Sequence, residues 1–277
     1  MVTIWVLENI RKHNSFYKEL DTLLLLTSVN QWKKYHPKHK TRLYADVMTL
    51  EFLDKLNALD LWDEKGFLPE NKLVDKNIFW ASSKLQALKQ INEPVVLMDN
   101  DFIVYKSFES FLKDKVVVAH DENGIDYYPG PLDPYISRVK HIINRPNYRS
   151  VNCSFEYLPD PKFTRHYSET SLLLMEEFTK LKVPNSNYLV FSEQLLLKHL
   201  LDIFKVPYDV LIGDEFISKD RKWVSNREGL INSKEKDTWF KHYWMEKPEL
   251  RKDKGAIKEL YNALSKLDLN LNYVYSQ

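Results

Sequence analysis

The chain has 277 residues, 44% hydrophobic and 29% charged, with only 6 Gly, which suits a packed globular protein and excludes a disordered or repetitive one. Its 40 basic and 39 acidic residues leave a formal net charge of +1, so no positive field favours a nucleic-acid backbone. The lone cysteine, Cys153, excludes an intrachain disulfide framework and a cysteine-rich zinc site, and reads as a small buried hydrophobe.

In chain order, Val2 to Leu7 reads as an opening strand, and Ser15 to Trp32 as a helix with an apolar inner side. A second strand from Thr41 to Ala45 and a helix from Thr49 to Leu56 follow. From Asn77 to Ile91, the apolar residues Ile78, Ala81, Leu85 and Leu88 recur at helical spacing; Pro94 ends that stretch, and Val95 to Met98 begins a buried strand. Further strands are expected at Val116 to Ala119 and around Ser154 to Leu158. Between them, Asn123 to Pro134 is rich in Gly, Pro and Tyr and reads as an irregular surface or active-site loop. Helices are expected from Glu169 to Lys180 and from Ser192, as a cap, to Phe204. A late strand from Asp209 to Ile212 and a closing helix through Ile257, Leu260, Tyr261 and Leu264 complete the chain. The succession favours an open α/β sheet covered by helices. We read residues 1–277 as a single domain, with 249–277 a C-terminal helical extension. There is no secretory signal pattern and no apolar run of about 18 residues, so a cytoplasmic location is expected, with peripheral membrane contact left open.

The sharpest feature is Val95-Val96-Leu97-Met98-Asp99-Asn100-Asp101-Phe102-Ile103-Val104. An apolar strand delivers two carboxylates, one residue apart, to the carboxyl edge where open α/β sheets bind ligands. Close carboxylates repel one another, but a hard divalent ion relieves the repulsion and offers open positions to phosphate oxygens. This segment closely resembles the aspartate-any-aspartate motif of nucleotide-sugar glycosyltransferases with the A-type (GT-A) fold. The resemblance spans roughly Thr3 to Pro248. It implies a Rossmann-like mixed central sheet flanked by helices, with Mn2+ or Mg2+ held by Asp99 and Asp101 on the donor diphosphate and Asn100 between them.

Other segments agree with that family. Trp80-Ala81-Ser82-Ser83-Lys84-Leu85 resembles the helix before the metal strand, which implies that Lys84 faces the donor or orients Asp99; an exposed helix lysine is the alternative. Val151-Asn152-Cys153-Ser154 resembles a later segment in which an asparagine-centred turn meets a sugar, and the Asn152 amide can both donate and accept. Asn152 capping its own turn is the other reading, and Asp160 is a weaker candidate. Phe191-Ser192-Glu193-Gln194 resembles the acidic-glutamine start of a helix near the acceptor, with Glu193 otherwise an ordinary first-turn carboxylate. The family also places nucleoside contacts near Thr3 and Glu8 on the first strand and Tyr44 and Asp46 after the second. The Gly-rich dinucleotide and phosphate-loop fingerprints are absent.

Near the end, Phe240-Lys241-His242-Tyr243-Trp244-Met245-Glu246-Lys247-Pro248 resembles the segment of glycogenin-like retaining transferases in which a histidine completes the metal site and a lysine approaches the phosphates. Trp244-Met245 stands where that family usually has glycine. The resemblance implies His242 as a metal ligand and Lys247 as a phosphate contact; packing of His242 among Trp239, Phe240, Tyr243 and Trp244 is the alternative. The expected activity is metal-dependent transfer of a hexosyl group from a nucleotide-diphosphate sugar, UDP-linked, to a glycan or other hydroxyl acceptor, with retention. A non-catalytic carbohydrate-binding protein and a metal-dependent phosphatase or nucleotidyltransferase are the competing readings.

Overall fold

The computed structural model describes residues 1–8, 19–69, 71–123, 128–130, 132–144, 149–217, 222–223, 239–243 and 247–275. The chain opens with β1 (Val2–Leu7), α1 (Glu19–Tyr35), β2 (Lys40–Ala45), α2 (Val47–Lys55), a 3-10 turn (Leu59–Leu61) and β3 (Glu64–Phe67). Next come α3 (Ser82–Lys89), β4 (Val95–Met98), β5 (Phe102–Val104), β6 (Val116–Asn123), α4 (Pro134–Arg138) and β7 (Ser150–Leu158). Then α5 (Pro161–Lys180), α6 (Asn187–Val190), a π-helical turn (Phe191–Leu195), α7 (Leu196–Ile203), β8 (Tyr208–Ile217) and β9 (Lys222–Trp223) follow. The last elements are β10 (Phe240–His242), α8 (Lys247–Leu250), α9 (Lys254–Leu264) and α10 (Asn272–Tyr275). Among the described residues, no helix is long and apolar enough to cross a membrane.

These elements gather into two compact units, one of Met1–Leu68, Met98–Ser110 and Gly229–Gln277, the other of Pro69–Leu97 and Phe111–Glu228. In the first, β1 pairs in parallel with β2, and β2 with β3. Every residue of β1 is buried, as expected of a strand covered on both faces. The Trp5 indole donates to Ser28 Oγ at 3.1 Å, and Ser28 Oγ donates to the Phe102 carbonyl at 2.7 Å, tying β1, α1 and β5 together. In the same unit β5 and β10 pair antiparallel, with Phe240 opposite Val104 and His242 opposite Phe102.

The second unit has strand order β4-β7-β6-β8-β9. The sheet is mixed, since β6 runs antiparallel to β7 and parallel to β8. Helix α3 packs on α5. Asp160 caps α5 by accepting from the Lys162 backbone N–H at 2.9 Å, and Pro161 supplies the first turn, so α5 starts well before Glu169. Conversely, α3 does not reach back to Asn77. The Asp75 carboxylate accepts from the Asn77 backbone and side chain at 3.0 and 3.2 Å, a local turn that competes with helix. The expected start of α1 at Ser15 lies outside the described residues.

His36, just past α1, is fully buried and fastens the segment that follows β5. Its Nε2 accepts the Phe108 backbone N–H at 2.8 Å, and its ring stacks on Trp32 with centroids 3.8 Å apart. Burial, reinforced by the neighbouring His39, lowers its pKa from 6.5 to about 4. The unfolded chain therefore binds this proton at a higher pH than the folded one, and the stability due to neutral His36 is lost as pH falls from 6.5 towards 4. The displacement amounts to at most about 3 kcal/mol. Denaturant titrations across that range should show the parent losing stability more steeply than His36→Phe; equal slopes would rule out His36 as the source.

Candidate functional site

The acidic pair stands on a tight turn between β4 and β5. The Phe102 backbone N–H donates to the Asp99 carbonyl at 3.1 Å, closing a four-residue turn that carries Asp99, Asn100 and Asp101. Asp101 is buried at 6% exposure and Asp99 is half-buried, while the Asn100 Oδ1 is buried with no partner among the described residues. The β5–β10 register then carries His242 to the same place. Its Nε2 lies 3.6 Å from Asp101 Oδ1 and 3.9 Å from Asp99 Oδ2, and the Tyr243 N–H prolongs the pairing by donating to the Asp101 carbonyl at 3.2 Å.

One donor atom from each of Asp99, Asp101 and His242 lies within 4.8 Å of the others. Ligand bonds of about 2.1 Å around a six-coordinate divalent ion set adjacent donors about 3 Å apart, so a slight closure of these side chains would suffice. Two hard carboxylates and one imidazole suit manganese, or magnesium with a less typical nitrogen ligand. Lys247 Nζ is 2.8 Å from Asp101 Oδ2 and 3.3 Å from Asp21 Oδ1, and Arg251 also reaches Asp21, at 3.0 Å. Burial pushes the Asp101 carboxyl up, but the hydrogen bond and charge of His242 and the Lys247 ammonium outweigh it and hold Asp101 well below the usual carboxylate range. Burial would lower the Lys247 pKa, but Asp101 and Asp21 raise it above the ordinary value.

Four nucleoside candidates lie in the same unit. Thr3 is fully buried near the start of β1, opposite Thr41 in β2, and Glu8 follows the end of β1. Tyr44 is buried, its hydroxyl accepting from Arg42 at 3.2 Å, and a Cβ on Gly66 would meet its ring at 2.5 Å. Asp46 caps α2, accepting from the Thr49 N–H at 2.7 Å.

The remaining candidates belong to the second unit. Lys84 Nζ lies 3.7 Å from Glu193 Oε1 with both side chains largely buried, so neither is the exposed helix lysine or the ordinary first-turn carboxylate. Glu193 and Gln194 occupy the π-helical turn, a local widening that re-aims side chains and is frequent at functional sites. Ser192 does not cap a helix as expected; the helix has already begun at Asn187, and the Ser192 hydroxyl donates back to the Tyr188 carbonyl at 2.7 Å. Asn152 does not centre a turn either. It lies within β7, its Nδ2 donating to Glu122 Oε1 at 3.0 Å and its Oδ1 accepting from the Ser154 N–H at 3.0 Å, so its polar group is satisfied inside the sheet. Burial pushes the Cys153 thiol well up, with the Glu156 and Glu193 carboxylates adding, which keeps it protonated and inert.

Sequence reading missed Asp21, Glu122, Tyr128 and Ser150. Tyr128 lay within the expected irregular loop, but no spacing marked its partners. Its hydroxyl is 2.8 Å from Glu122 Oε2 and 2.7 Å from the Gln194 side-chain amide, and it accepts from Ser150 Oγ at 2.8 Å. A phenol has one proton, and an ionised carboxylate can only accept. The one Tyr128 proton is therefore contested by two acceptors that face it, Glu122 Oε2 and Gln194 Oε1. Tyr128→Phe should cost about 1–2 kcal/mol by stranding Glu122 and Gln194, against under about 1 for Ser150→Ala. Denaturant unfolding measures both, and a neutral Tyr128→Phe would remove these hydrogen bonds as a source of stability.

No family model matches the sequence, and no curated protein does. Solved structures do. A structure of an active-site mutant of LgtC superimposes with a TM-score of 0.53 at 13% identity, over 98% of this chain and 96% of that one. The fold is that of GT-A-like glycosyltransferases. A structure of the galactosyltransferase LgtC with donor and acceptor sugar analogs matches at a TM-score of 0.40 and 13% identity, over 69% of this chain and 70% of that one. The PaToxG glycosyltransferase matches at 0.40 and 12%, over 73% and 68%. At such identities the likeness to LgtC concerns the fold, and the chemistry has to be argued from the site.

Proposed function

We propose that this chain is a metal-dependent glycosyltransferase that moves a hexosyl group from a nucleotide-diphosphate sugar, UDP-linked, to a hydroxyl of a glycan or related acceptor. The observation that carries the reading is the convergence of Asp99, Asp101 and His242 in a chain of GT-A-like fold. In this reading 1–277 act as one catalytic domain, with 249–277 as its helical extension.

When bound, Mn2+ or Mg2+ would supply Lewis-acid stabilisation of the departing diphosphate. Asp99, Asp101 and His242 would hold it, with neutral imidazole as the nitrogen donor. Lys247 contributes a half-buried positive charge beside that position, which would offset charge on the phosphates as the glycosidic bond breaks. On the acceptor side, Glu193 and Gln194 are held by Lys84 and Tyr128 respectively, and Asn152 is braced by Glu122, so these polar groups are oriented before a sugar arrives. Nucleoside contacts fall to Thr3, Glu8, Tyr44 and Asp46 by resemblance, with Asn100 beside the diphosphate and retention as the stereochemical outcome.

A donor screen with and without Mn2+ tests the reading. Manganese-dependent sugar transfer supports it; cleavage of diphosphate or phosphomonoester alone would favour a metal-dependent phosphatase or nucleotidyltransferase, and saccharide binding without turnover a binding module. His242→Ala should weaken Mn2+-dependent donor binding by about 10- to 100-fold while leaving the unfolding midpoint nearly unchanged. Unaltered metal titration and turnover in that variant would remove His242 from the site.

A further inference from the structure

Lys247 is shared between two carboxylates. Its ammonium is 2.8 Å from Asp101 and 3.3 Å from Asp21, whose side chains are only 9% and 17% exposed. It therefore neutralises the most buried carboxylate of the acidic turn, a task a divalent cation would also perform there. The two cations compete: Lys247 engages Asp101 Oδ2 while Oδ1 of the same carboxylate lies beside His242, so a divalent ion held there would share the carboxylate's charge and repel the ammonium at short range. Asp21 offers the lysine a second carboxylate already within reach.

We propose that Asp21 is a positioning residue for Lys247: it receives the ammonium when a divalent cation takes Asp101, and keeps it beside the metal for the incoming diphosphate. The diphosphate half of this statement rests on the glycosyltransferase reading; the exchange between lysine and metal does not. Asp21 is well placed for the task. It lies in the first turn of α1, where Leu20 and Leu24 pack against Ile103 of β5, so its backbone is fixed relative to the acidic turn. Arg251 engages its other oxygen at 3.0 Å and orients the carboxylate. The C-terminal helices have an independent fastening to α1, since the Tyr261 hydroxyl donates to Glu19 Oε1 at 3.0 Å, so Asp21→Asn need not release them.

The test is a calorimetric titration of the full chain with MnCl2 alone, without nucleotide. Lys247→Ala removes the competitor and should bind Mn2+ about 3- to 10-fold more tightly than the parent, whereas Asp21→Asn leaves the lysine committed to Asp101 and should bind it more weakly by a similar factor. The double variant should match Lys247→Ala, because Asp21 acts through the lysine. With Mn2+ saturating, UDP should bind more weakly to both single variants, and Asp21→Glu should restore much of the loss. Melting temperatures check that each variant is folded. The proposal is overturned if Lys247→Ala weakens Mn2+ binding, or if the Asp21→Asn effect persists undiminished in the Lys247→Ala background. It is also overturned if Arg251→Gln alone reproduces that effect at the lysine-free site. Failure of the parent to bind Mn2+ overturns both this inference and the metal centre. The expected pattern without sugar transfer leaves the inference standing and removes the glycosyltransferase reading.

Discussion

The candidate site depends on the antiparallel pairing of β5 with β10. Asp99 and Asp101 arrive on one turn, but the imidazole that joins them comes from a remote part of the chain. What brings it there is the register that sets His242 opposite Phe102 and Phe240 opposite Val104. Because side chains alternate faces along a strand, a slip of one residue would turn His242 to the other face and dissolve the cluster. Much of the surrounding packing resists that slip. Phe102 stacks on Phe240 at 4.6 Å, the Tyr105 N–H donates to the Trp239 carbonyl at 2.7 Å, and Ser28 and His36 bind the backbone at Phe102 and Phe108. Each cross-strand pair contributes about 0.2–1 kcal/mol, so the register is held by their sum.

Electrostatics then explain why two carboxylates tolerate such proximity within a fold this well packed. His242 and Lys247 face Asp101, and Asp21 and Arg251 extend the alternation of charge outward. The second unit treats its polar groups in the same way. Glu193 is met by Lys84, while Glu122 is engaged by both Asn152 and Tyr128. Hydrogen-bonded buried groups such as Asn152 and Glu122 are costly to rearrange, which keeps them oriented for a ligand.

What the sequence made legible follows from how local each signal is. β1 is apolar but for Thr3 and β4 is a continuous apolar run, and the acidic pair is conspicuous because β4 delivers it. His242 was reached through a family resemblance, since nothing in its own surroundings ties it to residues so far upstream. Nothing local marks Asp21, which the structure sets in the first turn of α1, and only the fold shows that Lys247 comes to it. Asn152 read as a turn residue because asparagine usually serves turns; within β7 it is tolerated because Glu122 and the Ser154 N–H satisfy its amide. β6 extends beyond Ala119 through the polar run His120-Asp121-Glu122, with register shifts that periodicity does not anticipate. The limits of α3 and α5 were likewise set by the side-chain turns at Asp75 and Asp160.

One register brings the candidate metal ligands together from two distant segments of the chain. A crystal of the protein soaked in Mn2+, with anomalous scattering collected at the manganese edge, tests it most directly. A single strong peak about 2.2 Å from carboxylate oxygens of Asp99 and Asp101 and from His242 Nε2 is the expected result. A peak ligated elsewhere, or one on the two aspartates with His242 turned away, would contradict the account.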